Sequence, residues 1–251
     1  LKDTHRAGEP ARLDVRVARK AYRAAAGQRL EVIADIAFTL GPGEVGALVG
    51  PSGCGKTTML RIIAGLDDDF EGAVERPRNG TLGMVFQEPR LLPWRTVEDN
   101  VRLVAPNADE AKLAQLFDIL ELSAHRGLYP GELSLGLARR VALARAFAID
   151  PDLLLLDEPF VSLDDALAAR LREELAILID RRTVTTLLVT HDIAEAVELA
   201  DRIFLLSARP ARILAEVPMH TPRARRRKEE IAAIAAEIGH QVNASRRSAS
   251  A

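Results

Sequence analysis

The feature that most constrains this chain is the run Gly50-Pro51-Ser52-Gly53-Cys54-Gly55-Lys56-Thr57. An apolar stretch, Val45 to Val49, precedes it, and an amphipathic stretch with Met59, Leu60, Ile62, Ile63 and Leu66 follows. This is the pattern of a phosphate-binding loop between a buried strand and a helix. Glycines let backbone N–H groups curl toward an anion, and the helix N-terminus adds partial positive charge. Lys56 is placed to reach the outer phosphates of a nucleotide, the Thr57 hydroxyl to bind Mg²⁺, and Thr58 to close the cradle.

A second element completes such a site. Leu153 to Leu156 is an apolar run that ends in Asp157-Glu158. A buried strand that delivers carboxylates at its C-terminal edge puts them where α/β proteins bind ligands. Asp157 fits a Mg²⁺ ligand acting through water, and Glu158 fits a group that polarises the attacking water.

The rest of the chain fits one architecture. Leu13, Val15 and Val17 alternate with polar residues, as do Ile36, Phe38 and Leu40, which predicts half-buried strands. Gly41-Pro42-Gly43-Glu44 reads as a turn. Leu82 to Phe86, Thr186 to Val189 and Ile203 to Leu206 read as further strands. From about Asp109 to Ile149 the period is helical, with Leu113, Leu116, Phe117 and Leu120 on one face and a second helix after Leu137. Leu167, Leu171, Leu175 and Leu178 form one more stripe. Strand–helix alternation interrupted by helices predicts an α/β phosphate-loop NTPase core with an N-terminal antiparallel β portion and an inserted helical subdomain at about 88–148. The ATP-binding unit would span 1–220. Residues 221–251 read as a charged helix with Ile231, Ile234 and Ile238 leading into a disordered Ser/Ala/Arg tail. The basic residues Arg223, Arg225, Arg226, Arg227 and Lys228 read as a solvated helix face, with contact to anionic lipid or a membrane partner as the alternative.

Composition narrows the setting. With 34 Lys plus Arg against 36 Asp plus Glu, the net charge is −2, which argues against a dedicated nucleic-acid binder. A single cysteine, Cys54, allows no intrachain disulfide and no zinc cluster. Leu1 to Pro10 is polar and lacks the apolar core of a signal peptide, and no apolar run approaches bilayer length. If the protein works at a membrane, these features predict that it does so peripherally, from the cytoplasmic face.

Other residues narrow the NTPase class through their order. Gln87 follows the strand at Leu82 to Phe86, Leu133-Ser134-Leu135-Gly136-Leu137 opens an Arg- and Ala-rich helix, Ser162-Leu163-Asp164 follows Glu158, and His191 follows the strand at Thr186 to Val189. Taken singly, Gln87 and Asp164 also fit solvated loop residues, His191 a helix start, and Tyr22 a partly buried strand aromatic. Taken together, the set resembles the ATP-binding subunits of ABC transporters over roughly residues 11–220. The resemblance implies roles. Gln87 would lie in the loop that joins the core to the helical subdomain and would help hold Mg²⁺. Ser134 and Gly136 would contact the nucleotide of an opposing subunit, and Asp164 would couple the two subunits. His191 would be the switch histidine near the γ-phosphate, and Tyr22 would stack on adenine.

The resemblance implies ATP and Mg²⁺ as cofactors and a dimer with a second ATP-binding subunit. It also implies transmembrane permease subunits and, indirectly, an extracytoplasmic solute-binding protein. Phe86-Gln87-Glu88-Pro89-Arg90-Leu91-Leu92-Pro93-Trp94 is similar to importers of nitrate, alkylsulfonates and taurine. One departure stands out: Leu135 and Leu137 replace the family's usual Gly and Gln, and Leu135 is expected to cost backbone freedom beside a charged ligand. That departure leaves open a catalytically weak, regulatory subunit. An ABC ATPase acting on DNA or ribosomes is disfavoured by the lack of long insertions or a second cassette. Cys54 is read as a small residue tolerated in the loop, and its neighbour Lys56 and the helix N-terminus predict a thiolate-prone sulfur.

Overall fold

The computed structural model describes residues 12–23, 28–77 and 80–248, with side chains to residue 240. The polar start and residues 249–251 lie outside the described residues. Strand β1 (Leu13–Arg23) pairs antiparallel with β2 (Arg29–Leu40) on one side and with β4 (Glu71–Glu75) on the other. The expected alternation holds in β2: Ile36, Phe38 and Leu40 are buried while Asp35, Ala37 and Thr39 are exposed.

The main sheet has the order β5-β6-β7-β3-β8-β9. Its strands are β3 (Val45–Val49), β5 (Leu82–Val85), β6 (Leu153–Asp157), β7 (Thr185–Thr190), β8 (Arg202–Leu206) and β9 (Ile213–Pro218), and only β9 runs antiparallel to its neighbour. Strands β3, β6 and β7 are buried at every position, as strands in a parallel sheet covered on both faces should be. Each buried leucine of β6 contributes roughly 1.5–3 kcal/mol.

Helix α1 (Lys56–Ile63) leaves the phosphate loop and buries Met59, Leu60, Ile62 and Ile63 against one face of the main sheet, in a core shared with β1 and β2. The opposite core gathers α2 (Val97–Arg102), α3 (Glu110–Ile119), α4 (Leu135–Phe147) and α5 (Asp165–Arg182). Helices α2 to α4 lie between β5 and β6 in chain order.

Three local expectations are corrected. Helix α4 starts at Leu135, not after Leu137, because the Ser134 side chain accepts a hydrogen bond from the Leu137 N–H and caps it. The last helix, α7 (Lys228–Ser248), continues through the stretch expected to be a disordered tail. The basic run before it is only in part the expected solvated face: Arg225, Arg227 and Lys228 are exposed, but Arg223 and Arg226 are engaged. Arg223 pairs with Asp201 at 2.6 Å, and the side chain of Arg226 is 1% exposed. Arg226 donates to the carbonyls of Val197 (2.7 Å) and Ala200 (2.8 Å), at the C-terminal end of α6 (Ile193–Leu199). A guanidinium there satisfies end carbonyls and complements the helix dipole.

Candidate functional site

The phosphate loop sits at the C-terminal end of β3, the middle of the main sheet. Gly53 (φ 74°) and Gly55 (φ 129°) take backbone angles that L side chains rarely adopt, and a Cβ on Gly55 would meet Val32 Cγ1 at 3.0 Å. The loop needs glycine there both to turn and to lie against β2. The Cys54 N–H closes a turn on the Pro51 carbonyl at 3.2 Å. Lys56 folds back over the loop, with Nζ 2.8 Å from the Gly50 carbonyl and 3.1 Å from that of Pro51.

The acidic strand end meets this loop. The Thr57 hydroxyl donates to Asp157 Oδ1 at 3.1 Å, and Glu158 Oε1 stands 3.3 Å from Lys56 Nζ. His191 Nδ1 lies 3.1 Å from Glu158 Oε2. Asp157 is buried, and loss of solvation pushes its carboxyl above the usual range, an effect the Thr57 hydrogen bond opposes and the neighbouring Glu158 charge reinforces. Glu158 has φ 44°, the left-handed region, which costs a non-glycine residue roughly 1–2 kcal/mol. Strain of this kind persists only where surrounding contacts over-determine the backbone. Here the Glu158 N–H is held by the Val189 carbonyl at 3.0 Å, and Arg139 of α4 donates to the Val161 carbonyl at 2.7 Å.

A cleft of about 350 Å³ opens over these groups, lined by Ser52, Gly53, Gly55, Lys56, Thr57, Thr58, Gln87 and Glu158 on the polar side. Tyr22, Leu30 and Val32 form an apolar wall, and Arg209 stands at the rim. Tyr22 is 39% exposed, and its hydroxyl donates to Asp67 at 2.9 Å. Buried Lys20 bonds the same carboxylate at 2.6 Å, with its Nζ 4.5 Å from the Tyr22 ring centre. Asp67 lies below the usual carboxylate range: its burial would raise it, but the Lys20 and Tyr22 bonds together prevail. A second cleft, about 650 Å³, shares Thr57 and Gln87 with the first and adds Arg61, Phe86, Arg90 and Asp157.

Ser134, Gly136 and Asp164 do not line the first cleft. Ser134 caps α4, and Asp164 caps α5 by accepting from the Leu167 N–H at 2.9 Å. Gly136 is buried, and a Cβ there would fall 2.5 Å from Leu167 Cδ2. Leu135 lies in the first turn of α4 and is 44% exposed, so within the subunit it takes ordinary helical backbone; the expected cost concerns an opposing subunit's nucleotide.

Cys54 corrects another expectation. Its side chain faces inward, 2% exposed, and burial pushes the thiol up despite nearby Lys56. Two residues of this region had no sequence signature. Arg209 follows β8 with nothing local to mark it, and Arg139 is one of several arginines in an Arg- and Ala-rich helix.

Residues 33–161 match the sequence profile of the family described as ABC transporter. The aliphatic sulfonates import ATP-binding protein SsuB 2 of Pseudomonas syringae pv. tomato is 46% identical over 217 residues, covering 85% of this chain and 91% of that protein. A protein of the same description from Burkholderia lata is 41% identical over 233 residues, covering 88% and 82%. The chain belongs to the ABC transporter ATP-binding protein family. The solved ATP-binding cassette MJ0796, in a dimeric post-hydrolysis state bound to ADP and Pi, superposes with a TM-score of 0.73 at 27% identity, over 84% of this chain and all of that one. An ABC cassette thus accounts for the core, the N-terminal antiparallel sheet and the helical portion. It is an ABC transporter ATPase, and no helix among its described residues is long and apolar enough to cross a bilayer.

Proposed function

We propose that this ATPase is the motor subunit of an importer for aliphatic sulfonates or related small anions, and that it works on MgATP as a dimer at the cytoplasmic face of the membrane. The observation that carries this reading is one contact network: Lys56, Thr57 and Glu158 line the cleft, Asp157 accepts from Thr57, and His191 touches Glu158. The residues fit the cofactor. Thr57 and Asp157 bring two oxygen ligands together, and among the described residues no cluster of three or more His, Cys, Asp or Glu side chains offers an all-protein cage. A hard cation bound so sparsely must complete its shell with phosphate oxygens and water, the habit of Mg²⁺ in nucleotide sites. Bound MgATP supplies a transferable phosphoryl group whose charge the metal partly neutralises.

The chain's own groups then divide the work. Ser52, Gly53, Gly55 and Thr58 offer backbone N–H groups to the phosphates, Cys54 closes the turn on Pro51, and Lys56 offers a cation. Glu158 orients or deprotonates water, with His191 fixing its carboxylate. Tyr22, tethered through its hydroxyl, presents a ring face for adenine. Gln87, common to both clefts, links the metal to the neighbouring groove, and Trp94, seven residues on, is 71% exposed, as suits a surface meeting a permease. Ser134, Gly136 and Asp164 lie at helix starts away from this cleft, which supports their acting on the nucleotide of a second copy or a similar subunit. The sulfonate assignment rests on the named relatives. Residues 1–220 would form the ATP-binding unit with its helical subdomain at about 88–148, and 221–251 an appended helix.

The test is complementation. A strain lacking its own sulfonate-importer ATPase, supplied with this chain and its neighbouring permease and binding protein, should grow on an alkanesulfonate as sole sulfur source. The Lys56→Ala variant should not support growth. Growth supported equally by Lys56→Ala would leave only the regulatory reading.

A further inference from the structure

We infer that Arg209, in the β8–β9 connection, is a positioning residue that braces the outer face of the phosphate loop and so sets its affinity for nucleotide phosphates. The inference rests on the MgATP reading of the cleft. Arg209 Nε and Nη2 both donate to the Gly53 carbonyl, at 3.1 and 2.5 Å. A trans peptide points its C=O and N–H in opposite directions, so a carbonyl pinned outward fixes the following Cys54 N–H on the inner side of the turn. That N–H closes the turn on Pro51. The other loop carbonyls with a side-chain partner, Gly50 and Pro51, are held by Lys56. Lys56 must also serve any phosphate that enters, whereas the Gly53 carbonyl is held from the cleft rim by Arg209.

The connection that carries Arg209 is itself built in. The Ser207 hydroxyl accepts from the Arg212 N–H at 2.9 Å. Ala211 exchanges hydrogen bonds with β2, its N–H to the Val32 carbonyl at 2.8 Å and its carbonyl from the Ala34 N–H at 3.0 Å. Val32 in turn lies against Gly55. One short segment therefore grips the loop twice, directly at Gly53 and through β2 at Gly55. A charged donor on a backbone carbonyl is among the stronger hydrogen bonds, and it polarises the peptide it holds.

The experiment compares wild type, Arg209→Ala, Arg209→Lys and Arg209→Gln in two assays: equilibrium binding of ATP and ADP, and the alkylation rate of Cys54 without nucleotide. Cys54 reports on the loop because its sulfur is buried under it. Arg209→Ala should weaken both nucleotides about tenfold, the loss of one charge-assisted bond. It should speed Cys54 alkylation by a similar factor while melting within a few degrees of wild type. Arg209→Lys should recover most of both effects and Arg209→Gln less. Unchanged affinity in a folded Arg209→Ala protein overturns the inference, whether or not Cys54 reacts faster. If wild type itself binds neither nucleotide, the MgATP reading fails instead, and an unchanged Cys54 rate would still count against the brace.

Discussion

His191 Nδ1 stands 3.1 Å from Glu158 Oε2, and the two residues reach that contact from the ends of paired parallel strands, β7 and β6. Neither is held by the contact alone. The Glu158 backbone is bonded to Val189, and His191 sits between the end of β7 and the α6 cap, where Asp192 Oδ1 accepts from the Ala194 N–H at 2.7 Å. The histidine ring is half exposed and the carboxylate nearly enclosed, and Glu158 is the member of the pair that lines the cleft.

His191→Ala should therefore lower steady-state ATP hydrolysis by about 100-fold, within the usual range for a group acting on a catalytic base. ATP affinity should change by less than about threefold, because the phosphate cradle is untouched. Parallel measurements of turnover and equilibrium binding check both halves. Equal losses in each would place His191 in binding.

Cys54 should resist alkylation. Its thiol is inside the loop and its ionisation is suppressed by burial, so a maleimide at neutral pH should react with the folded protein at least about tenfold more slowly than with the unfolded chain. Rapid labelling of folded protein would mean that the loop opens far more often than its hydrogen bonds suggest.

The altered segment at the start of α4 makes opposite predictions for neighbouring positions. Leu135 is exposed in the first turn, so Leu135→Gly should leave turnover within about threefold and cost at most about 1 kcal/mol of stability. Gly136→Ala drives a Cβ toward Leu167 of α5 and should cost about 1–3 kcal/mol through overpacking. Thermal melts and ATPase rates of the two variants give the comparison. A large gain in turnover from Leu135→Gly would mean the native motor is throttled.

What was legible in the sequence followed from burial and local rules. Strands β3 and β6 announce themselves because a strand buried on both faces reads as an apolar run, β7 and β8 show shorter apolar runs at 187–189 and 203–206, and α5 shows its leucine stripe. Strands β4 and β9 did not, since Glu71–Glu75 and Ile213–Pro218 are edge strands with mostly exposed residues and are held by pairing with β1 and β8. The phosphate loop and Asp157-Glu158 were readable because chemistry fixes their spacing. Arg209 and Arg226 were not. Each acts on carbonyls brought near by the tertiary fold, and in the sequence Arg226 is one of several adjacent basic residues.

The Lys20–Asp67 pair predicts a pH dependence. Asp67 is held below its ordinary value, so its contribution to stability is complete above the unfolded carboxylate value of about 3.9 and fades as pH falls through the lower folded value. Lys20 is held above its ordinary value despite burial, chiefly by its hydrogen bond to Asp67, so its contribution is lost only as pH rises past the folded value in strong alkali. Asp67→Asn should lower the melting temperature between about pH 5 and 9, and the difference from wild type should shrink below about pH 4. A constant difference across that range would remove the ionic part of the argument.

The most direct measurement of the central claim is made on Glu158→Gln. The substitution keeps the size and hydrogen-bonding reach of the side chain and removes its basicity, while Lys56, Thr57 and Asp157 remain. ATP binding at equilibrium should persist, and single-turnover hydrolysis with MgATP should fall by on the order of 100-fold or more. The unspent nucleotide should trap the protein as a dimer on size exclusion. Hydrolysis near the wild-type rate, with no ATP-bound dimer, would contradict the assignment of Glu158 as the group that activates water.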